Sequence, residues 1–276
     1  MKKEKTEIPQ KKNKFLKRLL LIGLPIIAVI ALIVPTNHYI EVPGTTESVN
    51  AMVHIDGKKD THKGNFFLTT VEIARANLAM MIYAHFNPFA TVYSAQDLMG
   101  NMSSKQYDLV NQFYMQTAQN TAIYQAFKQA KMPYELKYDG VYVLEIAKNS
   151  TFNGKLQIAD TVNEVNGKTF QSSEEMMKFI QSQKVGDPVT IKVQRIDGKP
   201  HRFEGKYVKL ATGKTGIGIS LVDHTEVVTD PKVTINAGAI GGPSAGMMFT
   251  LEIYSQITGK NLRAGREIAG TGTINS

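Results

Sequence analysis

The sequence predicts an α+β chain of several domains behind one N-terminal transmembrane helix. Three observations support this prediction. An apolar run follows a basic tail, strand-like and helix-like stretches alternate through the rest of the chain, and Asp-Gly and Asn-Gly turn pairs separate several of them. With 276 residues, the chain has room for about two domains besides the helix.

The positive charge of the chain is concentrated at its start. Thirty-two Lys and Arg stand against 24 Asp and Glu, a net charge of +8, and residues 1–18 alone contribute +6. The remaining 258 residues carry only +2, which argues against a basic nucleic-acid-binding face. We therefore expect no nucleic-acid partner, and a membrane-anchored DNA-binding protein is a weak alternative.

The cysteine and histidine content excludes several kinds of site. The absence of cysteine rules out disulfide scaffolds, cysteine-ligated zinc, iron–sulfur clusters and cysteine nucleophiles. The six histidines show no H-E-x-x-H or similar ligand spacing. We expect no metal and no cofactor.

Residues 19–35 are predicted to be a transmembrane anchor. The apolar run Leu19–Val34 spans about 24 Å as a helix, and Phe15–Val34 spans about 30 Å if Lys17 and Arg18 snorkel, which is enough for one crossing. The basic tail, residues 1–18, would stay in the cytoplasm and the rest would be exported. A cleaved signal peptide is the alternative, but residues 33–38 offer no A-x-A-like cleavage site. We predict a single-pass cell-membrane protein with its functional part outside the cell.

Residues 36–131 are predicted to form an exported region of strands and helices. Val71, Ala74, Leu78, Met81 and Ile82 recur with helical spacing, which predicts a helix that ends before Pro88. A longer helix is predicted from an N-cap at Ser103 or Ser104 to about Lys131, before Pro133.

Residues 132–210 are predicted to be one small domain. Val141–Ile146 and Thr161–Val165 are strand-like, and the capping box Ser172-x-x-Glu175 opens a helix. A hairpin turning at Asp197-Gly198 follows.

This stretch resembles a PDZ domain of the bacterial, protease-associated kind, through Gly140–Val143 and the segment from Gly154 to Gly167. PDZ domains add a peptide strand to an exposed sheet edge and capture a terminal carboxylate with backbone N–H groups. The resemblance implies that the carboxylate loop and the start of that edge are formed by Gly140, Val141, Tyr142 and Val143. An ordinary glycine hairpin is the alternative.

Residues 211–276 contain the segment that carries the candidate catalytic chemistry, Ile240–Met248, which follows a strand-like Val233–Ile235. Pro243 suits the first turn of a helix, which would place Ser244 among free N–H groups able to stabilise an oxyanion. An α/β-hydrolase needs a later histidine, and none follows Ser244. Asp223 and His224 precede the serine and could belong to an Asp-His-Ser triad of another chain order. Neighbouring strand residues point to opposite faces, however, so this pair is poorly built for such a triad. S-x-x-K is absent from the chain, which disfavours a penicillin-binding site.

The motif Gly241-Gly242-Pro-Ser244-Ala-Gly246, with Phe249–Tyr254 and Ile268–Ile274 after it, resembles the proteolytic domain of Lon-type serine peptidases. From about Val42 onward, the chain is similar to the membrane-anchored, PDZ-containing Lon-like peptidases of Gram-positive bacteria. The resemblance implies that Ser244 is the nucleophile of a Ser-Lys dyad and that Thr271 helps to orient the dyad. The oxyanion and substrate-strand positions would then be Gly241, Gly242 and Ala245.

The general base of such a dyad is expected to be missing from these 276 residues. The only lysine after Ser244 is Lys260, sixteen positions on, about 24 Å along a helix. In the family, the lysine follows in a later glycine-rich segment. We therefore expect residues 211–276 to be a C-terminally truncated Lon-type domain.

The resemblance implies an ATP-independent serine endopeptidase, a hydrolase that cuts short or unfolded extracellular peptides such as secreted signalling peptides. A Walker A loop ending at Gly213-Lys214-Thr215 fails because Val208 stands where glycine is required. Thr212–Gly216 is instead predicted to be a flexible joint between the PDZ-like and peptidase domains. The alternative is a catalytically inactive, membrane-tethered PDZ adaptor that binds peptides without cutting them. Lon-type domains often form rings, so a homo-oligomer is an alternative to a monomer.

Overall fold

The computed structural model describes the backbone of residues 11–275 and the side chains from residue 21 onward. The first ten residues of the predicted basic tail, residues 1–18, lie outside this part. The chain divides into two compact units. One unit takes in the chain up to Gly44 together with Val71–Asn101, and the other comprises Thr45–Thr70 and Met102–Ser276.

Helices and strands alternate along the described chain. The helices are α1 Lys11–Ile33, α2 Val49–Met52, α3 Leu78–Phe86, α4 Ala95–Met99, α5 Ser104–Ala130, α6 Ser173–Gln181 and α7 Gly246–Thr258. The strands are β1 Pro35–Ser48, β2 Val53–Ile55, β3 Asn65–Asn77, β4 Thr91–Ser94, β5 Tyr134–Ile146, β6 Thr161–Val165, β7 Pro188–Gln194, β8 Pro200–Lys206, β9 Val208–Lys209, β10 Thr215–Gly216, β11 Ile219–Thr229, β12 Val233–Ile235 and β13 Glu267–Gly270. Among the residues that the structure describes, no helix is both long enough and apolar enough to cross a membrane.

Side-chain caps set the start of the two helices predicted from serine motifs. The Ser103 hydroxyl accepts a hydrogen bond from the Gln106 N–H, and the Gln106 side chain accepts one from the Ser103 N–H, so α5 begins with a complete capping box. Helix α5 ends where Lys131 takes the left-handed conformation. In α6 the Ser172 hydroxyl accepts from the Glu175 N–H. Both predicted helix starts are confirmed.

The helix predicted from Val71 onward is wrong in its first half. Val71 and Ala74 lie in β3, and α3 begins only at Leu78. The β-branched run before Val71 favours a strand, and the Asn77 side chain accepts a hydrogen bond from the Met80 N–H, which starts the helix there. The predicted end before Pro88 is correct, because α3 stops at Phe86.

In the first unit, β1 pairs antiparallel with β4, from His38 opposite Ser94 to Glu41 opposite Thr91. Helix α3 packs against α1. Among the described residues of this unit, the buried hydrophobic side chains are Ile40, Ala76 and Met99. Most apolar side chains of the unit are therefore left exposed.

In the second unit, residues 134–229 supply a five-stranded antiparallel sheet with the order β11-β5-β6-β7-β8. Helix α6 covers one face through Met176 and Ile180. This core is continuous in sequence, and its buried members are Val141, Val143, Phe152, Leu156, Val162, Val165, Phe170, Met176, Ile180, Val189, Ile191, Val193, Tyr207 and Ile217.

A second core of the same unit is assembled from three separated segments. Helices α5 and α7 pack together, β12 pairs with β2, and β13 pairs parallel with β3 over residues 65–68. The buried members of this core are Val49, Met52, Val53, Phe66, Leu68, Met115, Ala122, Ile123, Ala126, Phe127, Val233, Ala237, Ala245, Met248, Phe249 and Ile253.

A buried ion cluster joins those segments. Arg263 donates hydrogen bonds to Glu252 of α7, at 2.8 Å, and to Asp60. Arg263 and Glu252 side chains are fully buried. Burial raises the pKa of Glu252, whereas for Asp60 the hydrogen bonds from Arg263 and His62 outweigh burial and lower the pKa.

These cores change the predicted domain boundaries. The segments 36–131 and 211–276, predicted as separate, share the second core, because 66 residues alone cannot bury enough apolar surface. The sheet of the small domain also reaches beyond residue 210, through β11 to Thr229. Tyr134 lies opposite Thr229, so the two ends of this sheet domain are adjacent, as they are in an inserted domain.

Candidate functional site

The segment predicted to bind a peptide end, Gly140–Val143, lies inside the five-stranded sheet. Val141 has Asp223 of β11 on one side and Val162 of β6 on the other. The Val143 N–H donates to the Asp160 carbonyl, and the Val143 carbonyl accepts from the Ala159 N–H. The predicted start of an exposed edge at these residues is therefore wrong, because their backbone is already paired on both sides.

Close packing, rather than an open loop, accounts for Gly140. Its φ is +128°, and a Cβ atom there would overlap the carbonyl of Val162. Tyr142 is held between the rings of Phe113, at 4.1 Å, and His224, at 4.0 Å. Burial raises the pKa of Tyr142 to about 12, with Asp139 adding to the rise.

Strand β11 forms one edge of this sheet. In the described chain its one sheet neighbour is β5. The segment Gly216-Ile217-Gly218 leads into β11, and Gly218 has a φ of +74°. The Ile217 carbonyl accepts from the Ser150 hydroxyl at 2.6 Å, and the Gly218 carbonyl accepts from the Ala147 N–H at 2.9 Å. In the described chain, the N–H groups of Ile217 and Gly218 have no backbone or side-chain acceptor. Neighbouring free N–H groups of this kind form an anion-binding nest.

Apolar side chains line this edge, and helix α5 limits its length. Ile217, Ile219 and Leu221 pack in one cluster with Phe179 of α6. Farther along β11, Thr117 and Asn120 of α5 donate hydrogen bonds to the carbonyls of Asp223 and Thr225. The edge is thus free from Gly218 to about residue 222 and covered by α5 beyond it.

A small cavity lies where α5, β11 and the start of α6 meet. Its volume is about 140 Å³, and Tyr138, Asp223 and Ser172 are among the residues that line it. Burial, together with the carboxylates of Asp223 and Glu175, raises the pKa of Tyr138. The cavity lies beside Asp223 and Thr225, where α5 begins to cover β11.

The sequence interpretation missed this edge. It took Thr212–Gly216 as a flexible joint and ended the domain at residue 210. The alternation Gly216-Ile217-Gly218-Ile219 ahead of an apolar strand was the available signal.

Ser244 lies in an exposed turn two residues before α7 begins at Gly246. Val233–Ile235 is the strand β12, as predicted, but Pro243 stands before the helix rather than in its first turn. In the described chain, the Ser244 hydroxyl has no hydrogen-bond partner. Its place beside the N-terminus of a thirteen-residue helix is electropositive.

The neighbours of Ser244 fit the predicted oxyanion positions in part. The Gly242 N–H donates to the Asn111 carbonyl at 2.8 Å, so Gly242 cannot be a free oxyanion donor. Gly241 packs against Asn111 as well, while Ala245 is the buried cap of α7. The remaining candidate donors are the N–H groups of Gly241, Ser244 and Ala245. Their role in holding an oxyanion stays a prediction.

Thr271 is brought next to Ser244, as the motif predicts. Its hydroxyl donates to the Ser244 carbonyl at 3.3 Å, and the Gly272 N–H donates to the same carbonyl at 2.7 Å. The Met247 N–H returns a hydrogen bond to the Gly272 carbonyl. Thr271 therefore fixes the backbone of Ser244 and does not contact its hydroxyl.

Neither Lys260 nor His224, the two residues considered from the sequence as partners of the serine, contacts Ser244. Lys260 follows α7 at its far end, with its ammonium 5.8 Å from the Tyr254 ring centre. His224 stacks on Tyr142 and lies 3.0 Å from the Thr161 hydroxyl. Burial lowers the pKa of His224, and the nearby Asp139 opposes this shift.

Comparisons with known proteins match the sheet domain. Residues 112–206 match the PDZ domain family. Two solved structures are similar to part of the chain. The PDZ domain of the SdrC-like protein from Listeria monocytogenes is 35% identical, over 32% of this chain and 93% of that one, with a TM-score of 0.30. The PDZ domain of the SdrC-like protein from Listeria innocua is 37% identical, over 31% of this chain and 94% of that one, with a TM-score of 0.29. No curated protein matches the chain.

The family match begins inside α5 and covers β5, β6, α6, β7 and β8. This agrees with the strand order and the capped helix observed in the sheet domain. A PDZ domain is therefore present in the chain, and domains of this kind typically bind peptides.

Proposed function

We propose that the PDZ domain binds the C-terminal end of a peptide at the edge of β11. The observation that supports the proposal is the free edge of β11, which follows Gly216–Gly218. The N–H groups of Ile217 and Gly218 are available there for a terminal carboxylate. The peptide would pair with β11 as an added strand. Its last side chain would enter the apolar cluster of Ile217, Leu221 and Phe179.

The length of the free edge limits what is recognised. Because α5 covers β11 from Asp223 onward, only about the last four or five peptide residues can pair with the strand. A peptide longer than this would have to leave the edge near the small cavity at Tyr138.

Peptide binding can be tested with a matched pair of ligands. A peptide with a free C-terminal carboxylate and an apolar last residue should bind the full chain, and its C-terminally amidated form should bind at least about tenfold more weakly. Isothermal titration calorimetry measures both. Equal affinities would show that the carboxylate is not captured.

We further propose that the bound peptide is a substrate of an ATP-independent serine endopeptidase centred on Ser244. The support is the exposed serine at the N-terminus of α7, the two hydrogen bonds that Thr271 and Gly272 make to its carbonyl, and the resemblance of this motif to Lon-type peptidases. A PDZ domain inserted into the same unit would supply peptides that arrive short or unfolded, such as secreted signalling peptides.

The proposed chemistry follows the Ser-Lys scheme. A neutral lysine amine would take the proton of Ser244 Oγ as that oxygen attacks the scissile carbonyl, and would then return the proton to the leaving amine. The N–H groups of Ser244 and Ala245 would hold the oxyanion. Burial has to lower the pKa of that lysine before it can act as a base near neutral pH.

One observation favours the second candidate function, a peptide-binding adaptor without catalysis. Within the described residues, no lysine side chain hydrogen-bonds to Ser244, and Lys260 lies at the opposite end of α7. The peptidase therefore requires a lysine from outside the described chain. The adaptor requires none.

We also propose that residues 19–35 anchor the protein in the cell membrane, with the PDZ domain and Ser244 outside the cell. The first two side chains of this segment lie outside the described part of the chain. From Leu21 to Val34 the large apolar side chains of this segment are exposed on all sides, and the tail before it is basic. Protease digestion of sealed cells tests this orientation. Loss of the PDZ domain from intact cells is expected, and its protection would contradict the orientation.

Replacement of Ser244 by alanine separates the peptidase from the adaptor. In the full-length protein, Ser244→Ala should abolish peptide cleavage while peptide affinity stays unchanged, because the serine lies outside the PDZ sheet. Mass spectrometry of incubated peptides measures cleavage. Equal cleavage by both proteins would exclude the serine mechanism, and peptide binding without cleavage by either would favour the adaptor.

A further inference from the structure

The first unit exposes an apolar surface besides α1. Residues 76–96 contain no Asp, Glu, Lys or Arg, although 20% of the chain is charged. On α3 the exposed large side chains stand at positions 78, 82, 83 and 86, which share one face of the helix. Phe89 follows in the connection to β4. Phe86 is 79% exposed and Phe89 is 74% exposed.

This surface is continuous with the end of α1. The Asn77 side chain caps α3 by accepting from the Met80 N–H, and its amide donates to the Leu32 carbonyl at 2.7 Å. Helix α3 therefore starts beside the last turn of α1 and packs against that helix. The exposed apolar side chains of the two helices form one surface within the unit.

We propose that α3 and Phe89 lie in the bilayer interface as a second lipid contact of the protein. The proposal rests on the proposed anchor, because an anchor over α1 brings Leu32 to the end of the hydrocarbon layer. A short apolar helix at that depth would lie along the membrane, with its exposed face among the headgroups and the first acyl carbons.

The chemistry of the surface fits lipid better than a water-soluble partner. Aromatic side chains with an apolar body and a polar tip are typical of the membrane interface. Tyr83 is of this kind, because its ring is exposed while its hydroxyl accepts a hydrogen bond from Asn87. Protein interfaces commonly have a charged or polar rim, which the uncharged stretch from residue 76 to residue 96 does not supply.

Tryptophan fluorescence provides a direct test, because the chain contains no tryptophan. Four single variants of the full chain are reconstituted into phosphatidylcholine vesicles with and without brominated acyl chains. Phe86→Trp and Phe89→Trp probe the surface, and Ile26→Trp probes the anchor. Ile196→Trp is the matched control, since Ile196 lies in the PDZ hairpin and is equally exposed at 73%.

The proposal expects blue-shifted emission and bromine quenching for Phe86→Trp and Phe89→Trp, and neither change for Ile196→Trp. If the two surface variants behave like Ile196→Trp, the proposal is overturned, whatever Ile26→Trp shows. A blue shift without bromine quenching would mean that protein, such as a second copy, covers the surface, and also overturns it. Ile26→Trp reports on the anchor separately: an unquenched Ile26→Trp variant contradicts the anchor, while quenching at positions 86 and 89 would still support the lipid contact.

Discussion

The two cores of the second unit are built from the chain in different ways. The PDZ sheet uses one continuous stretch, and its strands pair mostly with their neighbours in sequence. The core around α7 combines β2 and β3, helix α5, and residues after Val233, with the PDZ sheet inserted between them. Motif order and spacing can reveal a continuous domain, whereas an assembled core leaves no such local pattern. The difference explains why one was recognised as a domain from sequence and the other was divided in two.

The largest effect is expected when the two parts are separated. Residues 134–229 should fold alone, because the whole core between the sheet and α6 lies within them and their ends are adjacent. Residues 230–276 should remain unfolded, because Val49, Phe66 and Phe127 of their core lie elsewhere. Circular dichroism and amide NMR spectra measure both fragments. A folded 230–276 fragment would contradict the assembled core.

Removal of Arg263 should be nearly as damaging. Arg263→Ala leaves the buried carboxylates of Glu252 and Asp60 without their partner, and we expect a loss of about 3–5 kcal/mol in the free energy of unfolding. Urea denaturation of the full chain measures the loss. Lys199→Ala, which removes one partner of an exposed ion pair, is the control and should cost little. A small loss at Arg263 would mean that the cluster does not hold the segments together.

Gly140→Ala tests the packed glycine of the PDZ sheet. Its Cβ would overlap the Val162 carbonyl at a strained φ, and we expect a loss of about 3 kcal/mol. Gly198→Ala is the matched control, because Gly198 also has a positive φ but open space around it, and should cost about 1 kcal/mol. Equal losses in urea unfolding would place Gly140 in an open loop, as first predicted.

The smallest effect concerns His224, and it depends on pH. Because burial lowers the pKa of His224 in the folded protein, the unfolded chain binds more protons below about pH 6.5. Stability that is present above this pH should therefore fall as the pH is lowered toward 5. In His224→Gln this contribution disappears, so the unfolding free energies of the two proteins should follow different pH slopes. Parallel slopes would show that His224 is not buried in its neutral form.

Local rules explain what could be predicted in these domains. The serine caps of α5 and α6, the hairpin between β7 and β8, and the strand β12 depend on residues close in sequence, and all were predicted correctly. The second half of β3, from Val71 onward, was taken for a helix because apolar spacing over a few residues fits both periods. Pairing of β3 with β13, which lies two hundred residues away, cannot be read from such spacing.

The candidate sites show the same limit at single residues. The sequence predicted Ser244 at a helix N-terminus from Pro243 and the glycines around it, and the resemblance to Lon-type peptidases implied that Thr271 acts with it. It also predicted a binding loop at Gly140, where the structure shows a glycine packed against β6. The free edge belongs to β11, a strand that joins the sheet from beyond the predicted domain end.

The sequence by itself determined the capped starts of α5 and α6, where the charge lies, and that a PDZ domain is present, because these depend on local patterns. Only the tertiary structure decided that the PDZ sheet is inserted into another core, that Gly140–Val143 are enclosed, and that the Gly242 N–H is already used by Asn111. These properties depend on which distant strand or helix takes each backbone group, and a hydrogen bond between distant residues leaves no trace in the order of the amino acids.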